Sequence, residues 1–223
     1  MTIVPRVHVK LEPKAAARAL TGALAGAAKR PPPLELVRVL LAMIWFETGG
    51  APANGNPGNL MAASLVGGRE VSTWRGPAWR PPFYELTVSS SPGDIASHAA
   101  MLAGKEPTAF RAYQGPNGLE AGLADYLTLL AHRFPKMLTA AASGDLGAFS
   151  ESYVRDGYCP RCSPGNVERN IRARLAQLEA AGAFVGLDVA PPPGVGEAGP
   201  AVLLVAATVA GVLLWLSTRK ATA

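Results

Sequence analysis

Cysteine, histidine and charge are all scarce in this 223-residue chain, which holds two cysteines, three histidines and 17% charged residues. Two cysteines cannot staple a disulfide-rich mini-protein. His8, His98 and His132 are scattered and supply no zinc-protease motif, so no metal and no other cofactor is expected. No repeat of fixed period runs through the chain, which excludes solenoids, collagen and coiled coils. Residues 1–14 pair no basic n-region with an apolar h-region, so no secretory signal peptide is expected there. The net charge of +5 comes without a dense Lys/Arg run or a groove-reading motif. That speaks against nucleic acid and suits an anionic surface such as cell wall or lipid headgroups.

What the chain has in quantity is apolar surface, 49% of residues, much of it alanine, which favours helix. Its 24 glycines and 20 prolines cluster between apolar-periodic stretches, a pattern of folded elements and not of disorder. Ala15–Lys29 and Leu34–Thr48 predict two helices parted by Pro31-Pro32-Pro33, the second stopped by Gly49-Gly50. Residues 51–93, rich in Gly, Pro, Asn and Trp, predict loop with a short hairpin, and Asp94–Ala103 a short helix. Asn117-Gly118-Leu119-Glu120 has capping-box spacing and opens a helix to Phe134, with Leu119, Leu123, Tyr126, Leu130 and Phe134 along one side. Leu146–Arg155 and Val167–Ala181 complete the set, the last with Val167, Ile171, Leu175 and Leu178 inward. The expected class is mainly α.

At the C-terminus, Ala201 to Leu216 carries no charge, and Pro200 to Thr218 makes 19 residues, roughly 28 Å as a helix. Residues 201–217 are therefore expected to be a transmembrane helix in a lipid bilayer. A Pro/Gly-rich linker (189–200) precedes it and a basic tail (218–223) follows. Residues 1–188, with an N-terminal arm at 1–14, form the expected working domain. Arg219 and Lys220 predict the tail inside and the domain outside. Ala207 and Gly211 have the spacing of a small-residue dimerisation motif.

The helix Leu34–Thr48 carries the sharpest chemical signal. With Val37 at zero on a helical wheel, Arg38 and Glu35 fall at about 100° and about 160°, the wet side. Glu47 falls at about 280°, between Leu36 at about 260° and Leu40 at about 300°. It sits at the negative end of the helix dipole, just before a Gly-Gly break. Burial and dipole both disfavour its ionised form, so a raised pKa is expected. A carboxylic acid that keeps its proton near neutrality can protonate a glycosidic leaving oxygen. The alternative is a last-turn glutamate bending out to solvent past the glycines.

Three blocks then carry a resemblance. WFETGG…NGNPGNLMA (Trp45 to Ala62) resembles the E-S/T-G … N-L/F signature of the glucosaminidase-type peptidoglycan hydrolases of the lysozyme-like superfamily. FRAYQGPNGLEAGLADYLTLLAHRF (Phe110 to Phe134) resembles that family's FR-x-Y segment followed by a helix with a D-Y pair. FSESYVRDGYCPRCSPGNVERNI (Phe149 to Ile171) is similar to its closing GY segment. The blocks stand in the family's order. The resemblance implies a mainly α, lysozyme-like domain with a loop and short-hairpin lobe that cleaves β-1,4 bonds between GlcNAc and MurNAc in bacterial peptidoglycan. It makes Glu47 the general acid, Asn59 the polar residue after the cleft loop, and Tyr158 the tyrosine lining the sugar cleft. Tyr113 and Phe110 match the FR-x-Y aromatics, Phe110 with core packing as its plainer role; Arg111 would pair with a carboxylate or reach the substrate. Two departures stand out. The family's tryptophan after E-S-G is absent, and the GY motif runs on into Cys159-Pro160-Arg161-Cys162, with Asn166 near the place of a second tyrosine.

A second carboxylate is expected among Glu70, Glu85 and Asp94, with Glu85 preferred because a short strand beside Tyr84 would overhang the cleft. Without one, the same Glu47 would serve a lytic transglycosylase, the sugar's own 6-hydroxyl closing the ring. A non-catalytic wall-binding or assembly module is the reading from another class. Trp74 and Trp79, with Phe83 and Tyr84, are interleaved with Arg75 and Arg80; they either stack on sugar faces or form a folded-over mini-core. Cys159 and Cys162 make a poor zinc site, and outside the cytoplasm a disulfide tightening the GY loop is preferred to a redox role. The setting is the membrane of a bacterium, with the domain facing the wall, or that of a virus particle.

Overall fold

A computed structural model describes residues 3–4, 8–53, 55–58, 61–66, 69–71, 83–86, 109–113 and 118–190. The chain forms two compact units, one from Met1–Lys10 and Glu47–Tyr126, the other from Leu11–Phe46 and the chain from Leu127 onward. Two helices are divided between them: α2 (Leu34–Thr48) after Phe46 and α3 (Gly118–Arg133) after Tyr126.

The second unit is helical. α1 (Pro13–Ala28) starts on Glu12, whose carboxylate accepts from the amides of Lys14 (3.0 Å) and Ala15 (2.6 Å), and Pro13 takes the first position, where no amide hydrogen is needed. Those two amides hold the Glu12 carboxyl below its ordinary value. Lys29, in the left-handed region, ends the helix ahead of the proline run. That run also receives the end of the described chain: the amide of Ala190 donates to the carbonyl of Pro32 at 2.9 Å, and Ala190 bridges Pro33 in parallel. The expected linker is thus tied down at its first residues, and 191–200 lie outside the described residues.

α4 (Pro135–Ser143) and α5 (Leu146–Arg155) are joined by two residues with opposite capping duties. Gly144, left-handed at φ 73°, returns its amide to the carbonyls of Ala140 and Ala141. Asp145 then caps α5 by accepting from the amide of Ala148 at 2.9 Å. α4 packs on α5, and α5 on α6 (Pro164–Ala180). The core takes Leu20 and Leu24 from α1, Met137 and Leu138 from α4, Phe149 and Tyr153 from α5, and Val167, Ile171, Leu175 and Leu178 from α6. Each large apolar side chain taken out of water contributes roughly 1.5–3 kcal/mol, and this burial holds helices that are too short to persist alone.

α2 departs from the amphipathic pattern expected of it. Every residue from Leu36 to Trp45 is buried except Arg38, so there is no broad wet side. Arg38 itself is covered. Its guanidinium bonds the Glu35 carboxylate at 2.6 Å and the Glu179 carboxylate from α6, and lies 6.0 Å from the centre of the Phe184 ring. Desolvation pulls Arg38 down, but the two carboxylates more than offset it and hold it above its ordinary value.

The first unit contains a five-stranded sheet in the order β1-β4-β5-β2-β3, made of β1 (Ile3–Val4), β2 (Met61–Val66), β3 (Arg69–Val71), β4 (Phe83–Leu86) and β5 (Ala109–Ala112). β1 runs parallel to β4, pairing Val4 with Glu85; the other neighbours are antiparallel. β4 and β5 pair Glu85 with Phe110 and Tyr84 with Arg111, and a register shift between Met61 and Ala63 interrupts β2 where it meets β5.

Three expectations are corrected. The stretch read as loop with a short hairpin contributes three strands to a five-stranded sheet. β2 and β3 form a short hairpin, as expected, with Val66 paired to Arg69; the further pairing of β2 and β4 with β5 and of β4 with β1 joins short strands distant in sequence, where alternation is too brief to show. α4 is not among the expected helices: the helix expected to run to Phe134 is followed at once by Pro135, which opens a new one. The expected class also included a membrane-crossing helix, yet no helix among the described residues is long and apolar enough to cross a membrane. The longest, α6, has 17 residues and is charged along its length, against the ~20 apolar residues a span requires. Residues 201–217 and the helix expected at Asp94–Ala103 lie outside the described residues.

Candidate active site

Glu47 closes α2. The burial of that helix ends at Trp45, and Phe46, Glu47 and Thr48 are half-buried. Glu47 thus stands one residue from the end of a core helix, half-buried, and not on one apolar stripe of it. Gly49 (φ 64°) and Gly50 (φ 77°) follow, both left-handed, where a side chain would be strained. The Gly50 amide donates to Thr48 Oγ1 at 3.3 Å, and the Ala51 amide to the Thr48 carbonyl at 3.1 Å. The chain thus turns off sharply at the carboxylate.

The loop after that turn is held within its own unit. His8 Nδ1 lies 2.9 Å from the Ala51 carbonyl, Val9 donates its amide to Pro52, and His8 bridges Ala53 antiparallel. Further on, backbone lies directly on backbone. A Cβ on Gly122 of α3 would come 2.1 Å from the Gly55 carbonyl oxygen, and one on Gly118 would come 2.3 Å from the Tyr113 carbonyl oxygen. Gly55 is itself left-handed at φ 71°. Gly55, with Gly118 and Gly122 of α3, is thus what lets this loop lie against α3. Asn56 is buried at 1%, its amide donating to the Ala53 carbonyl at 2.8 Å. Tyr113 is buried at 4%, and its hydroxyl donates to Asp125 Oδ2.

An aromatic chain runs through the helical unit. Phe46 stands 6.3 Å from Tyr153, Tyr153 stands 4.8 Å from Tyr158, and Tyr158 meets Phe134 edge-on at 5.2 Å. Tyr153 is buried, while Tyr158 is half-buried. Tyr158 follows Gly157 (φ 88°), where the chain leaves α5, and precedes the disulfide Cys159–Cys162. A disulfide is the pairing expected there for a setting outside the cytoplasm, and the structure forms it.

Glu85 lies on β4 and Glu70 on β3, the strand expected beside Tyr84 being present. Phe110 and Arg111 lie on β5. Asn59, Trp74, Trp79 and Asp94 lie outside the described residues. Among the described residues no group of three or more His, Cys, Asp or Glu is placed to hold a metal ion. His132, in the last turn of α3, is held below its ordinary value of 6.5 by desolvation. Sequence reasoning passed over three supports of this region. Tyr153 and Asp125 stood inside quoted motifs without a role, and nothing marked His8 as a partner of Ala51. No family model, curated protein or solved structure matches the chain.

Proposed function

We propose that the protein cleaves the glycan strands of bacterial peptidoglycan, with Glu47 as the general acid. The observation that carries this reading is the position of Glu47, half-buried at the carboxyl end of a core helix and followed by two left-handed glycines. The negative end of a helix dipole disfavours a carboxylate's charge, which helps an acid keep the proton it must deliver. The three sequence blocks that resemble glucosaminidase-type peptidoglycan hydrolases support the reading, since Glu47 matches that family's acid and Tyr158 its cleft tyrosine. Glu47 would protonate the bridging oxygen as the bond breaks. Glu85 is the candidate partner, acting as base toward water or as nucleophile from ~5–9.5 Å away. Asn59, Trp74 and Trp79 are proposed to contact sugar. Where no second carboxylate acts, the 6-hydroxyl of the sugar closes the ring and the reaction is a lytic transglycosylation.

The test uses the full chain on purified wall sacculi. Wild type releases muropeptides, and Glu47→Gln releases them about 10²–10⁴-fold more slowly, the usual contribution of a general acid. Equal release by both proteins would remove Glu47 from the mechanism. Binding to sacculi with no product from either would favour a wall-binding module. Mass spectrometry separates the reactions: reducing-end GlcNAc, reducing-end MurNAc and anhydro-MurNAc mark glucosaminidase, muramidase and transglycosylase.

A further inference from the structure

The disulfide Cys159–Cys162 occupies an unusual place. Both cysteines are half-exposed, not sealed in the core. Cys162 stands one residue before Ser163, the N-cap of the 17-residue α6. That helix start has no side-chain cap and no counter-charge: the Ser163 side chain makes no capping bond, Pro164 brings no amide hydrogen, no acidic residue lies in the first turn, and the Asn166 amide folds back on the Ser163 carbonyl at 3.0 Å. Arg161, exposed between the two cysteines, adds a second positive group. A helix N-terminus and a neighbouring cation each favour a thiolate over a thiol, and a thiol that leaves readily as thiolate makes its disulfide easy to open.

The helices on either side are each held by contacts other than the disulfide. α5 is finished by its own backbone, Asp156 donating to the Ser152 carbonyl at 2.9 Å and Gly157 to the Val154 carbonyl at 3.2 Å. α6 is held by its buried stripe of Val167, Ile171, Leu175 and Leu178. A ring closed across so few residues also restrains little of the unfolded chain. The disulfide closes the short turn that begins directly after Tyr158. The Cys162 amide donates to the Cys159 carbonyl at 3.0 Å and the Cys159 amide to the Tyr153 carbonyl at 3.0 Å, with the Tyr158 ring against Tyr153 and Phe134.

We propose that Cys159–Cys162 is a reversible thiol–disulfide exchange site for low-molecular-weight thiols, and that its state sets the placement of Tyr158. A thiolate RS⁻ attacks Cys159 Sγ, forming an R–S–Sγ bond and breaking the Sγ–Sγ bond, so that Cys162 leaves as thiolate. A second RS⁻ attacks the R sulfur of that mixed disulfide and releases the Cys159 thiolate with RS–SR. The thiol pair gives up two electrons and two protons, the protein gains both, and an oxidised thiol reverses the sequence. The inference does not rest on the wall-cleaving reading, because its readouts involve no glycan.

The native full chain is equilibrated with graded reduced and oxidised glutathione, quenched in acid and labelled with N-ethylmaleimide for mass spectrometry. The expected result is joint labelling of both cysteines, reversed by oxidised glutathione, with an unchanged far-UV circular dichroism spectrum. Labelling only after denaturant is added would overturn the site. Arg161→Glu should slow reduction by about two- to fivefold; an unchanged rate removes the electrostatic argument for Cys162. Reduction should also change the near-UV tyrosine signal of wild type, and change it by less than half as much in Tyr158→Leu. Equal changes in both proteins would overturn the link to Tyr158.

Discussion

The hydroxyl of Tyr113 donates to the carboxylate of Asp125, tying the residue just after β5 to the middle of α3. The tyrosine is buried and the aspartate half-buried, so the bond is sheltered on one side and charge-assisted on the other. The same tyrosine's carbonyl is pressed by Gly118, and the Gly55 carbonyl by Gly122. These contacts seat the loop that follows Glu47.

Tyr113→Phe leaves Asp125 without this donor and should destabilise the protein by about 1.5–3 kcal/mol, the range for a hydrogen bond to a charged group. Asp125→Asn should cost less, since the amide still accepts. Denaturant unfolding of the two single variants and the double variant checks this. A coupling energy near zero would mean that the two residues act separately.

Gly122→Ala and Gly22→Ala are the same chemical change in two helices and should have opposite signs. At Gly122 the methyl meets a backbone oxygen at 2.1 Å, so the loop or α3 must move, at a cost of at least about 1–3 kcal/mol. At Gly22 nothing lies within 4 Å, and alanine should stabilise α1 by about 0.5–1 kcal/mol. Unfolding midpoints measured side by side decide the matter.

Replacing Arg38 with methionine leaves Glu35 and Glu179 as two carboxylates without their shared cation. With side chains 28%, 41% and 47% exposed, water screens much of the interaction, so a loss of about 1 kcal/mol is expected. The difference from wild type should shrink at high salt. A loss unaffected by salt would assign the role of Arg38 to packing on Phe184.

His132 and Glu12 predict separate pH windows. Because His132 is depressed below 6.5 in the folded protein, the unfolded chain takes up a proton that the folded chain refuses as pH falls below 6.5. Stability should therefore drop on acidification from that point and level off below the folded value. His132→Gln should flatten this part of the curve. Glu12 is also depressed, from 4.5, so its contribution is present above that value and is lost as pH falls further. Glu12→Gln should alter only this lower region. Thermal melts across pH 3–8 would separate the two.

The sequence by itself determined the helices whose evidence is local. Leu34–Thr48 and Leu146–Arg155 form over the residues their patterns predict, and the inward stripe of α6 is the stripe read from spacing. Apolar period and glycine stops act within a turn or two, so one strand of text is enough to read them. The tertiary structure alone decided the five-stranded sheet, whose register joins Val4 to Glu85 and Glu85 to Phe110. It also covered Arg38 with Glu179 and pressed Gly122 against Gly55. Each of these is a meeting of residues distant along the chain, fixed by a balance of close packing and pairing that no local window contains. For the same reason the sequence could nominate Glu47 from a helical wheel, but only tertiary packing buried α2 from Leu36 to Trp45 on all sides but Arg38 and left Glu47 half-buried at its end.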